Sequence, residues 1–279
     1  MRRAHVLDAL IRLAQPANVV VLPVLIAQGR QVRRRMPRLP AAQGPTAGVC
    51  PGSEPALRLT VLGDSAAAGV GAATHEEALG GFLGAEVARR TGRMTSWHVV
   101  ARSGAKTRDV TRDLVPRLVD HSDVIIAVAG VNDLKSYRLI RDFRRDTAAL
   151  VDAIRRRVGP VPVVLAGIPP FEHMPGLPRP MRTVLGLRGR AMNDVLRRLA
   201  STMDNVSHIS LSGLAFSDDA FTEDGFHPAS NGYRMWAETI ADQLGASVGA
   251  PGREAQLEHR GEPGVRVAQV DGPDLGHSP

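Results

Sequence analysis

Between residues 57 and 244 the chain alternates short apolar runs with longer stretches in which apolar residues recur at helical spacing. The runs predict strands over 57–62, 96–101, 123–129, 162–168 and 205–209. The spaced stretches predict helices over 76–91, 106–118, 139–158, 182–202 and 230–244. Nearly uninterrupted, the run 123–129 fits a central strand buried on both faces, whereas the arginines of 141–157 fall on the solvent side of their helix. Strand–helix alternation of this kind specifies an α/β fold, a parallel sheet covered by helices on both faces. No internal repeat breaks it.

The flanks have a different character. Residues 1–36 form a leader whose apolar run, Val19 to Ala27, has Arg12 before it and Arg30, Arg33, Arg34 and Arg35 after it. A spanning helix needs about 20 mainly apolar residues, and Pro16, Asn18 and Pro23 interrupt this one. Arginines directly after the run are unlike a signal-peptidase site. The segment therefore reads as an interfacial anchor held by basic residues on anionic lipid, or as an N-terminal helix packed on the domain. The expected location is cytoplasmic or cytoplasmic-membrane-associated, with secretion by an uncleaved signal as a third reading. Residues 37–55 read as a Pro/Gly/Ala linker, 56–245 as one domain, and 246–279, without apolar periodicity, as a disordered tail.

At 279 residues and 43% hydrophobic content the chain can bury a large core. Its net charge of +7 invites a nucleic-acid partner until the charge is located. Residues 1–48 hold eight arginines and one acid, Asp8, while the remainder holds 27 basic and 27 acidic residues. A neutral body with few aromatics is a poor reader of nucleic acid, and the basic leader suits an anionic membrane surface better. Lysine occurs only at 106 and 135, a bias that reads as genome composition rather than function. Cys50 is the only cysteine, so no intrachain disulfide staples the fold; it lies far in sequence from any chemical motif and reads as an incidental thiol.

Four fragments carry chemistry. Gly63-Asp64-Ser65 follows the first strand, Ser103-Gly104 the second and Gly130-Val131-Asn132-Asp133 the third; Asp224-Gly225-Phe226-His227-Pro228 precedes the last helix. Asp64 and Ser65 could by themselves be a turn and helix cap. Together the fragments supply the parts of acyl hydrolysis. A neutral serine hydroxyl needs a base as it attacks, His227 is that base, and Asp224 three residues earlier can hold the imidazole because Gly225 permits a tight turn.

In this order, the four fragments resemble the blocks of the SGNH (GDSL-type) hydrolase family, between Gly63 and His227. The chain departs from the pattern after the nucleophile, where Ala66-Ala67-Ala68-Gly69 replaces the usual leucine. The resemblance implies a flavodoxin-like three-layer sandwich with a parallel sheet. It also implies an oxyanion hole made by the backbone N–H of Ser65, the backbone N–H of Gly104 and the side-chain amide of Asn132. Asp64 and Asp133 read as supports of their loops. The implied activity is cleavage of carboxylic esters, small or lipid, through an acyl-enzyme without metal or cofactor; acyl transfer to another alcohol would use the same residues. A phosphate- or nucleotide-binding domain built on Gly63–Gly71 is the non-enzymatic reading, but that loop lacks both the P-loop ending and the third glycine of a dinucleotide fingerprint. His75, His98, His121, His173 and His208 show no metal-ligand spacing. The segment Pro169–Pro178, with Met174, Leu177, Met181, Val184 and Leu185, fits either a wall of an acyl pocket or a lid packed on the domain.

Overall fold

A computed structural model describes residues 15–37, 39–214 and 216–248. In chain order the elements are α1 Gln15–Arg35, β1 Ala47–Cys50, β2 Ser53–Gly63, α2 Leu79–Thr91, β3 Arg93–Ala101, α3 Thr107–Asp109, β4 Val124–Val128, α4 Val131–Lys135, α5 Ile140–Val158, β5 Val163–Ala166, α6 Met181–Ala200, β6 Val206–Ile209 and α7 Ser230–Val248.

The apolar runs behave as the alternation predicts. All five residues of β4 are buried, and successive side chains serve opposite faces. Ile125 and Ala127 join one core cluster with Phe143, Leu150 and Ile154 of α5 and Leu185, Met192 and Leu196 of α6. Val124, Ile126 and Val128 join the other, with Leu79 and Leu83 of α2 and Tyr233, Trp236 and Ile240 of α7. Two apolar faces on one sheet require two helical layers, which is the three-layer α/β sandwich. Truncating a large buried side chain of either core cluster to alanine, such as Ile126 of β4, should cost about 2–5 kcal/mol in a urea titration.

The strand order is β1-β3-β2-β4-β5-β6, with β3, β2, β4, β5 and β6 parallel. The chain leaves β2 for β3 on one side and then crosses to β4 on the other, so β2 lies at the reversal of strand order. The carboxyl end of such a strand borders the crevice where open α/β sheets bind ligands.

Three expectations need correction. The stretch read as a linker contains β1, which pairs antiparallel with β3 at the sheet edge, Ala47 opposite His98 and Cys50 opposite Thr95. Edge pairing needs only one satisfied side, so a four-residue strand without a long apolar run suffices. The helix expected over 106–118 is one α turn, a π turn Val110–Leu114 and a 3-10 turn Val115–Arg117; Pro116 lacks the N–H that a regular helix would use. The helix expected from 76 begins at Leu79, because residues 74–78 form turns around the His75 carbonyl, which accepts from Ala78 and Gly81.

Over Gln15–Arg35 the leader is a helix docked on the domain. Leu25 is buried, and Gln28 both donates to the Arg179 carbonyl at 2.6 Å and accepts from the Met181 N–H at 3.1 Å. Val24 and Ile26 remain about half exposed, and among the described residues no helix is long and apolar enough to cross a membrane. Residues 1–14 and most of the expected tail lie outside the described residues.

Candidate active site

Ser65 follows the carboxyl end of β2 in a turn wound by its own neighbours. The Asp64 N–H donates to the Val128 carbonyl at 3.0 Å, tying the turn to β4. The Ala66 N–H donates to Asp64 Oδ1 at 3.1 Å, and the Val70 N–H to the Ser65 carbonyl at 3.0 Å. The turn role considered for Asp64 is thus real, and it leaves the Ser65 side chain unused: among the described residues Ser65 Oγ has no hydrogen-bond partner. The backbone N–H groups of Ser65 and Gly104 likewise have no acceptor there. Gly104 adopts φ +81, which other residues rarely take, and a Cβ there would meet no other protein atom within 4 Å, so among the described residues the backbone conformation is what favours glycine.

The histidine loop is built around Asp224. His227 Nδ1 lies 2.6 Å from Asp224 Oδ2. Oδ1 accepts from Thr222 Oγ1 and the Phe226 N–H, each at 2.7 Å, and from the His227 N–H at 2.8 Å. Burial alone would raise this carboxyl; the bonds from His227, Thr222 and Phe226 outweigh it and hold the group at about 2. Asp224 is therefore ionised throughout the neutral range, as a partner for an imidazolium must be.

Two sets of contacts, unseen in the sequence, bring this loop to Ser65. Gly71 lies so close to Thr222 and to the Pro228 carbonyl that a Cβ would overlap both, and the buried Tyr233 hydroxyl donates to the Val70 carbonyl at 2.8 Å. From below, the Gly176 N–H donates to the Gly225 carbonyl at 2.9 Å, with no room for a side chain at either glycine. Ser65 Oγ and His227 make no hydrogen bond in this structure, although His227 is near enough to act on the charge of Asp64 beside it. Such bonds are often long in free enzymes and tighten with substrate.

Asn132 is buried at the start of α4 and donates from Nδ2 to the Ala105 carbonyl at 2.9 Å, with a longer contact of 3.4 Å to Asp64 Oδ2. It thereby links the ends of β2, β3 and β4. Asp133, wholly buried, accepts from the N–H and hydroxyl of Thr107 at 2.8 and 2.9 Å and fixes the turn after β3.

Asp64 itself is buried to 1% exposure, and burial, only partly offset by the Ala66 N–H, Lys135 and His227, raises its carboxyl to about 6. A raised acid favours the folded state while protonated, and that contribution is lost as pH rises from 3.8 through 6. Relative to Asp64→Asn, the wild type should therefore lose about 2 kcal/mol of unfolding free energy between pH 4 and 7. Urea titrations of both proteins at each pH measure the gap, and a gap that stays constant removes Asp64 from the titrating groups.

The segment after β5 is packed on the domain and also borders a cavity. Phe171, Met174 and Leu177 are buried against the domain. Leu177, Met181 and Leu185 also line a cavity of about 380 Å³ beside His227, shared with Phe226, Lys135, the α1 residues Val32 and Arg33, and Met36 just after α1. The remaining histidines are scattered: His75 is buried and its desolvation lowers its pKa, whereas His121 and His173 are exposed. Among the described residues no three His, Cys, Asp or Glu side chains form a cluster able to hold a metal ion. Cys50 is free on the edge strand, and burial raises its thiol.

The strand ends thus carry a serine and free backbone N–H donors, and the loop before α7 a carboxylate-bound histidine, on a three-layer α/β scaffold. Residues 61–235 match the GDSL-like Lipase/Acylhydrolase family, and the chain belongs to it. The GDSL-like esterase Rv1075c of Mycobacterium tuberculosis is 24% identical over 192 residues, 66% of this chain and 60% of that protein's length. Among solved structures, the lipase Lip_vut3 from a goat rumen metagenome superposes with a TM-score of 0.56 at 20% identity, over 67% of this chain and 96% of that one. The family 3 carbohydrate esterase of Clostridium thermocellum superposes with a TM-score of 0.54 at 16% identity, over 69% and 96% of the two chains. At these identities the structural likeness carries the fold.

Proposed function

We propose that this chain hydrolyses carboxylic esters through an acyl-enzyme on Ser65. Ser65 Oγ attacks the ester carbonyl as His227 takes its proton at the ring nitrogen turned away from Asp224. The carbonyl oxygen becomes an oxyanion facing the N–H groups of Ser65 and Gly104 and the amide of Asn132, which exchanges its long contact with Asp64 for the new charge. Collapse of this intermediate breaks the bond to the alcohol oxygen, which receives the proton from His227. Water then repeats the cycle on the acyl-enzyme, His227 again moving the proton, and releases the acid and free Ser65.

The observation that most supports this reading is the 2.6 Å bond between His227 and Asp224 on a loop packed against the Ser65 turn. A p-nitrophenyl ester series of increasing acyl length tests it. The protein should release nitrophenol from at least the short esters, and loss of that release after treatment with a fluorophosphonate should track labelling of Ser65. Turnover that survives full labelling would exclude Ser65 as the nucleophile.

A further inference from the structure

The cavity beside His227 has a composition that an apolar chain alone does not require. Leu177, Met181 and Phe226 supply apolar walls, but the lining also includes Arg33 and Lys135 and no carboxylate. Neither cation has a carboxylate within salt-bridge reach among the described residues. The Lys135 ammonium stands 4.9 Å from the centre of the Phe226 ring, and that ring packs edge-on to the His227 imidazole at 5.0 Å. Asp64 and Asp224, outside the cavity lining and beyond salt-bridge reach, act on Lys135 as opposite charges, whereas Arg33, within the lining, repels it. Two like charges facing one cavity, with no counter-ion among the residues that form it, are relieved by an anionic ligand.

The position of the cavity says which part of a substrate it takes. His227 lines it, whereas Ser65, Gly104 and Asn132 do not. A base that first takes the serine proton must return it to the departing alcohol oxygen, so the alcohol lies on the histidine side of the reacting carbon. The acyl oxygen lies on the other side, toward the amide donors.

Building on the esterase reading above, we infer that the preferred substrates are esters of an alcohol that carries an anionic group, a carboxylate or a phosphate, held by Lys135 and Arg33 while its apolar part lies against Leu177, Met181 and Phe226. Because Arg33 comes from α1, the docked leader helix completes this specificity site.

The test compares 4-acetoxybenzoate and 4-acetoxyphenyl phosphate with neutral methyl 4-acetoxybenzoate, using the full chain. The ratio of kcat/KM for each anionic ester to that for the neutral one is measured in the wild type, Lys135→Gln, Lys135→Arg and Arg33→Gln. Intrinsic differences between the leaving groups cancel when ratios are compared across proteins. Lys135→Gln and Arg33→Gln should each lower the ratio about tenfold for at least one anion, the weight of one charge-assisted hydrogen bond, and Lys135→Arg should largely keep it. The anion whose ratio falls more is the better match to the natural group. Both side chains are exposed, so the variants should fold. Ratios unchanged in both glutamine variants, with Ser65 still labelled by fluorophosphonate, would overturn the anion site and leave the esterase reading standing. No turnover of any ester together with no label on Ser65 would overturn both.

Discussion

Ser65→Ala should lower kcat for ester hydrolysis by about 10⁴–10⁶ while leaving thermal stability nearly unchanged. Both halves of this expectation follow from the same observation. The Ser65 hydroxyl has no partner among the described residues, so its removal breaks no hydrogen bond of the folded state; the Ser65 carbonyl and N–H, which shape and serve the turn, remain. The chemistry loses its nucleophile. A residual rate should persist, because the amide donors still face the carbonyl and can favour direct attack by water. The fluorophosphonate adduct, formed by a phosphorus–oxygen bond to Ser65 as fluoride leaves, should vanish from the corresponding peptide in mass spectra. An adduct on another serine in the variant, or turnover within tenfold of the wild type, would place the chemistry elsewhere.

That Ser65, Asp224 and His227 were legible in the sequence has a physical basis. Each belongs to a short segment whose own backbone must turn sharply and whose residue types suit one chemical task, so the motif alone points to the role proposed for it. β4 was legible because a strand buried on both faces must be apolar throughout, and β2 through its buried half, Leu59 to Gly63, whereas its exposed start, Ser53 to Pro55, read as linker. β1 was hidden because an edge strand is only half paired, and Ala47–Cys50 needs no long apolar run. α4 was hidden because five residues are too few to establish a helical period.

The contacts that assemble the site were illegible for a different reason. Tyr233 reaches Val70 across 163 residues, and Gly176 meets Gly225 across the α6–β6 unit. In sequence, Tyr233 is one more apolar position on the last helix and Gly176 one more glycine in a proline-rich loop. Only the crossing of β2, β4 and the Asp224 loop at one sheet end gives them a role. Lys135 shows the same limit: one of two lysines in the chain, it fitted a compositional explanation until the fold placed its ammonium over Phe226 beside His227.

The second large effect concerns Asp224, where geometry separates the proposed catalytic share from the structural one. Oδ1 accepts three hydrogen bonds that shape the loop, from Thr222, Phe226 and His227, whereas Oδ2 faces only the imidazole. Asp224→Asn can keep the first three on its amide oxygen, so the loop should hold its form. Its NH₂ then points at His227 Nδ1 and donates, which makes that nitrogen an acceptor and moves the ring proton to the nitrogen that must receive the proton of Ser65. A neutral amide also offers nothing to the imidazolium formed during attack. The expected result is a fall in kcat of about 10⁴ with little change in KM, since Asp224 does not touch the substrate. Nitrogen chemical shifts of the His227 ring should report the inverted tautomer, a readout that a merely structural role would not move. Because the wild-type carboxyl titrates at about 2, protonation of Asp224 should cost activity only below about pH 4. A loss of less than tenfold in Asp224→Asn, with the ring tautomer unchanged, would reduce Asp224 to a residue that shapes the loop.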